Sequence, residues 1–246
     1  AGDVDDRASR PHHLRAGLRH PVGARQVDVD HGAELLRGLP AGRHGGAHTG
    51  VVEQHVETAE GAPYLLLNGS SAYISTPDSV PLSITGDLEL QVDIWLPDNR
   101  YLWDLCNKYG GAGARSWALQ INAGGTVSLY WSADGTSLLG STSTMPIWPC
   151  SGRTAIKATL DVNDGAGNHV VKFYTADAIG GTWTQLGNTV TTAGTTSIFD
   201  SATGVAYGKN SATTAVTPVR QRFYGGRIYQ GIAGTLRSSI DTSTLT

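Results

Sequence analysis

Arg115 to Thr136, RSWALQINAGGTVSLYWSADGT, reads as a complete β-hairpin. Trp117, Leu119 and Ile121 fall on one side of its first strand, and Ser116, Ala118, Gln120 and Asn122 on the other, the period-two pattern of a half-buried strand. Asn122-Ala123-Gly124-Gly125 supplies the turn, because Asn and Gly accept the positive φ values that tight hairpin loops require. Val127, Leu129 and Trp131 then repeat the alternation, and Ala133-Asp134-Gly135 ends the second strand. One sheet face is therefore apolar and aromatic, and it needs a covering layer, which predicts a second sheet.

Working outward, short strands separated by turn residues fill the chain from Tyr64 onward. YLLL at 64 to 67, AYIST at 72 to 76 and DLELQVDIWL at 87 to 96 precede the hairpin, with YLWDLCNKY directly before it. TAIKATLDV at 154 to 162, HVVKFYTA at 169 to 176, TWTQLGNTV at 182 to 190 and VRQRFYGGRIYQG at 219 to 231 follow. No amphipathic helical stretch interrupts them, and the pattern predicts an all-β, antiparallel two-sheet sandwich over residues 63 to 246.

Residues 1 to 62 are of another composition. They contain no Phe, Tyr, Trp, Ile, Met, Cys, Asn or Lys, so they have little to bury and read as an irregular arm or linker. His31 to Leu39 and Val51 to Glu60 carry apolar residues at helical spacing, but at lengths that are marginal for a helix without a partner. Seven Arg against nine Asp and Glu make the segment slightly acidic, and the remainder is nearly neutral, which argues against nucleic acid as a partner. No apolar run spans a bilayer, the charged start Asp3 to Arg7 does not resemble a signal peptide, and the chain reads as soluble. The arm's histidines lack the Cys or acidic co-ligands of a zinc site. Cys106 and Cys150 sit in no ligand spacing, and separate free thiols are the plainer reading beside a disulfide.

The segments LNGSSAYISTPDS, GDLELQVDIWL, NKYGGAGARSWALQINAGGTVSLYWSADGT, LDVNDGAGNHVVKFYTA with GTWTQLG, and GGRIYQGIAGT occur in order over 64 to 237. In this order they resemble the laminin-G-like, concanavalin-A-like sandwich modules of actinobacterial proteins and of minor tail or other virion proteins of their phages. The resemblance implies a jelly-roll whose face or loop rim binds carbohydrate or protein. It implies a structural and adhesive virion protein, present in many copies and facing a host-surface glycan. Residues 1 to 62 lie outside the resemblance; that they join other virion subunits is an expectation from their lack of a core of their own. The rival expectation is a secreted carbohydrate-binding module or a sandwich-fold glycoside hydrolase.

Glycosidases of this fold place carboxylates in a Glu-x-Asp-x-x-Glu pattern, whereas Glu89-Leu90-Gln91-Val92-Asp93 has an amide in the middle. Glu89 and Asp93 are four strand residues apart, roughly 13 Å at about 3.3 Å per residue, beyond the spacing that glycoside hydrolysis uses. The row is expected to be a polar, solvent-facing sheet surface without catalytic residues. Trp95 shares that face, and an aromatic flanked by Glu89, Gln91 and Asp93 suits the apolar side of a pyranose, so these four are the carbohydrate-binding candidates. Calcium is the one cofactor the loops suggest, at Asp161, Asn163 and Asp164. That loop departs from EF-hand spacing and reads equally as Asx-turns. His169 reads as an exposed strand-end residue.

Overall fold

The computed structural model describes residues 53–55, 62–69, 71–97, 102–147, 152–210, 212 and 220–244. The calls on residues 1–52 and 56–61 and on Cys150 lie outside these. Among the described residues fifteen strands run in chain order as β1 Glu53–His55, β2 Tyr64–Leu67, β3 Ile74–Thr76, β4 Leu88–Leu96, β5 Trp103–Tyr109, β6 Arg115–Ile121, β7 Thr126–Trp131 and β8 Leu139–Pro146. They continue as β9 Gly152–Asp161, β10 Asn168–Ala176, β11 Thr184–Gln185, β12 Val190–Ala193, β13 Val205–Tyr207, β14 Gln221–Gln230 and β15 Thr235–Asp241.

Two antiparallel sheets form the expected sandwich. One has nine strands in the order β1-β2-β14-β4-β9-β10-β11, with β12 also on β10 and β15 also on β14. The other has six, in the order β3-β13-β5-β6-β7-β8. The hairpin β6–β7 folds as its sequence predicts: Trp117 pairs with Trp131 and Ile121 with Val127. Gly124 and Gly125 close its loop at φ 101° and 90°.

The alternation decides what lies between the sheets. Leu88, Leu90, Val92 and Ile94 of β4 face Trp117, Leu119, Ile121, Val127, Leu129 and Trp131, all at most 1 % exposed. Each such side chain contributes on the order of 1.5–3 kcal/mol of burial, so this interface dominates the stability. Trp131 also donates its indole N–H to Thr196 Oγ1 at 3.0 Å.

Several expectations need correcting. Within the stretch 51 to 60, whose helical spacing is marginal in length, Glu53–His55 is a strand laddered on Tyr64–Leu67, because an extended partner offers its three residues hydrogen bonds that a short helix would lack. TWTQLGNTV splits into two short strands around Gly187, whose φ of 72° turns the chain. His169 is half-buried, edge-on to Trp131 at 5.5 Å, with its Nδ1 2.7 Å from the Gly194 carbonyl. One expectation stands: Cys106 is a free thiol, here a buried one.

Candidate functional site

On the outer face of the nine-stranded sheet, β4 presents Glu89, Gln91, Asp93 and Trp95, as its alternation requires. Their exposure differs from the expectation: Glu89, Gln91 and Asp93 are 4, 6 and 2 % exposed. Two connections cover them. The β14–β15 turn brings the Ala233 N–H to Glu89 Oε2 at 3.0 Å, while Gln91 Nε2 donates to Glu89 Oε1 at 2.6 Å. Ala233 has a φ of 51°, a left-handed conformation that is costly for a residue with a Cβ, so this carboxylate steadies a strained turn. The 177–183 loop brings the Ile179 N–H to Asp93 Oδ2 at 3.2 Å.

Arg153 completes the binding of Asp93. Its Nε and Nη2 donate to the two carboxylate oxygens at 2.9 Å each, the fork geometry of a bidentate pair, and this bond raises the guanidinium's pKa. Glu89 and Asp93 are thus engaged by internal donors. A general acid and base must reach a substrate proton, and this pair lies beneath the two covering connections.

Trp95 is half-buried and packs against a satellite cluster of Tyr64, Leu66 and Tyr224. The Arg222 guanidinium lies 5.0 Å from the Trp95 ring centre and 4.9 Å from that of Tyr64, and Arg153 lies 4.1 Å from Tyr224. Further along the face, Lys157 Nζ stands 4.4 Å from the Tyr174 ring and 4.8 Å from that of Trp183. The outer face is therefore a layer of aromatic rings interleaved with cations. The period-two reading places Trp95 on it, but not its partners, which come from strands adjacent only after folding.

Asp161, Asn163 and Asp164 occupy the β9–β10 loop, where their oxygens accept backbone N–H groups: Asn163 on Asp161 at 3.0 Å, Gly165 on Asn163 at 3.1 Å, and Ala166 and Asn168 on Asp164 at 2.8 and 3.0 Å. The Asn168 side-chain bond, with the backbone donors, lowers the Asp164 pKa. These are the Asx-turns of the plainer reading. Among the described residues no group of three His, Cys, Asp or Glu side chains gathers around a common point.

The outer face of the six-stranded sheet carries a second polar network. Gln120 donates to Asp104 at 2.6 Å, and Asn122 to Ser128 at 2.8 Å; the Ser128 and Thr142 hydroxyls lie 2.7 Å apart. At one end of the sandwich a shallow cleft of about 460 Å³ opens between Ile147, Thr154, Thr175, Asp177, Thr184 and Leu186.

No protein-family model matches the chain, and no curated protein matches its sequence. Similar solved structures are receptor-binding domains of botulinum neurotoxins. The binding domain of neurotoxin DC in complex with SialylT has a TM-score of 0.50 at 10 % identity, over 76 % of this chain and 42 % of that one. A type C structure, described by the dependence of cell entry on two ganglioside molecules, has 0.51 at 10 %, over 77 % and 44 %. A further receptor-binding domain has 0.50 at 10 %, over 82 % and 44 %. The chain spans less than half the length of these structures, and at this identity the likeness establishes the β-sandwich fold.

Proposed function

We propose that this chain is a non-catalytic, glycan-binding sandwich module. The observation that carries the reading is the half-buried Trp95 ring on an outer face whose nearby carboxylates are held by internal donors. Such a face can stack a pyranose but has no carboxylate pair aimed at a glycosidic bond. The fold likeness supports it, since the similar toxin domains are described as binding SialylT and gangliosides. Because less than half of each toxin domain is matched, glycan binding is proposed for this chain rather than carried over.

The setting follows the resemblance to phage modules: a virion surface with many copies per particle, to which we add residues 1 to 62, outside that resemblance, as the arm joining the module to other subunits. One shallow aromatic platform buries little area, so each site binds weakly and adhesion depends on multivalency.

The test is a glycan array with full-length Trp95→Ala and Trp95→Phe. Trp95→Ala should lose binding about tenfold or more, while Trp95→Phe keeps the packing on Tyr64 and Tyr224 and part of the binding. Folding of both variants is checked by near-ultraviolet circular dichroism. Undiminished binding by folded Trp95→Ala, or wild-type protein that holds no glycan, sinks the reading. Release of reducing sugar from polysaccharides, abolished by Glu89→Gln, would overturn its non-catalytic half.

A further inference from the structure

The inner face of β9 and β10 turns polar at one end of the sandwich. Thr154 is the Cα partner of Ile94 and Thr175 that of Ile156, and residues paired in this way share a sheet face. Both isoleucines are at most 1 % exposed, so the two threonines stand where the alternation would carry the core onward. Valine has the same branched shape and would close that end with apolar surface. A half-buried hydroxyl instead needs a hydrogen-bond partner. Thr184 of β11 pairs with Thr175 and brings a third hydroxyl to the same face. Trp183 turns the other way, to the outer face beneath Lys157, which leaves Thr182 as a fourth hydroxyl on the inner side.

These hydroxyls meet in the cleft of about 460 Å³, a volume within the range of about 300–1,000 Å³ that small-ligand sites occupy. None of the four donates to or accepts from a described residue, and none is sealed from solvent. The exposed Asp177 carboxylate at the rim likewise has no hydrogen bond or ion pair among the described residues. Buried Ile147 and half-buried Leu186, which packs on the core, supply an apolar floor. No Lys, Arg or His is among the described residues that line the cleft.

We infer that this cleft is a second saccharide site, which holds one neutral sugar unit. Each threonine hydroxyl can donate and accept at once, as each sugar hydroxyl does, so neighbouring hydroxyls of one ring can bond Thr175 together with Thr184 or Thr154. The Asp177 carboxylate only accepts and takes a further hydroxyl, while the C–H side of the ring lies on Ile147 and Leu186. Charge sets the class: a carboxylate at the rim with no lining cation repels an acidic sugar. An apolar ligand would leave the four hydroxyls unpaired. The inference rests on the glycan-binding reading for its class of ligand and adds a site which that reading does not use, since Trp95 is on the opposite face of the same sheet. One sugar unit buries little area, so the cleft alone does not retain a glycan on an array, and its occupancy has to be read residue by residue.

The experiment follows the amide resonances of Thr154, Thr175 and Thr184 in the full chain during titration with glucose and lactose. Glucuronate serves as the acidic counterpart and cyclohexanol as a ring with a single hydroxyl. The neutral sugars should shift these resonances and bind about tenfold more tightly than glucuronate or cyclohexanol. Thr154→Val and Thr175→Val should each weaken the neutral sugars about tenfold, with folding checked by near-ultraviolet circular dichroism. Asp177→Asn, at an exposed position, should remove most of the discrimination against glucuronate, and Trp95→Ala should leave the shifts in the cleft unchanged. Shifts confined to Trp95 and its neighbours, glucuronate or cyclohexanol binding the cleft as tightly as glucose, or neutral-sugar binding that none of the three cleft variants alters would overturn the inference and leave the Trp95 reading standing. Shifts in the cleft with none around Trp95 would uphold this site and sink the platform. A chain that holds no saccharide at all would sink both.

Discussion

Lys108 shows what one residue contributes to the fold. It is fully buried, and its ammonium meets Asp78 Oδ1 and Asp200 Oδ1 at 2.9 Å each and the Leu82 carbonyl at 3.3 Å, stapling two loops to β5. The two carboxylates keep 29 and 40 % of their side-chain surface, so the partners are not equivalent. Removing both counter-charges strands an ammonium in the core; Asp78→Asn with Asp200→Asn should cost about 3 kcal/mol in urea unfolding. Lys108→Met leaves two carboxylates that water can reach and should cost less than about 1.5 kcal/mol. The opposite ranking would refute this account. Burial acts to raise the Asp200 pKa, but hydrogen bonds from Lys108 and Ser83 and the Lys108 charge outweigh it, and the carboxyl ends below its ordinary value. A depressed carboxyl stabilises the fold above the usual carboxylate range and loses that contribution as pH falls through the lowered value, so this staple weakens only in acid. None of this was legible in YLWDLCNKY. Register shifts between Asp104 and Cys106 and between Lys108 and Tyr109 break the period of two, turning Lys108 inward where simple alternation has no rule for it. Burial likewise pushes the Cys106 thiol far up, so alkylating reagents should reach it only on unfolding.

At the scale of elements, strands whose apolar residues alternate, β4, β6, β7, β9 and β10, are readable because one face has to be buried. Those that joined the sheets by other means were not. Strand β8, LGSTSTMP, is mostly exposed and held by its ladder to β7 and by hydroxyls, with Ser143 Oγ accepting the Val127 N–H at 3.0 Å. The loops that cover Glu89, Gln91 and Asp93 were equally silent, since nothing local says where a turn such as 231–234 will land; the candidate row was placed on its correct face and given the wrong exposure. In β14 the pair Gly225-Gly226 has a packing reason. A Cβ on Gly226 would stand 2.5 Å from Cε1 of the Tyr207 ring. Gly226→Ala should therefore cost about 1–3 kcal/mol by overpacking. Adding Tyr207→Leu should cost less than the sum of the single changes, a coupling that a double-mutant cycle of urea midpoints would expose.

For the molecule as a whole, the telling strand is β14, which arrives late in the chain and lies between β2 and β4, pairing Phe223 with Leu65 on one side and with Ile94 on the other. A chain ending before Gln221 lacks this central strand and should show no cooperative unfolding or near-ultraviolet signal, whereas one ending after Thr244 should keep both. The sandwich is legible because facing apolar rows demand each other; the contacts of Arg222 and Tyr224 in the ring-and-cation layer are not, because they exist only once β14 sits between β2 and β4. At the far end of the same sheet, β1 is held through three residue pairs to β2 and, among the described residues, to no other strand. If the module is tethered through the chain that precedes Glu53, tension on the tether loads those pairs first. They would peel one at a time while β2 stays anchored on β14, letting the attachment lengthen under pull before any strand inside the sandwich is drawn out.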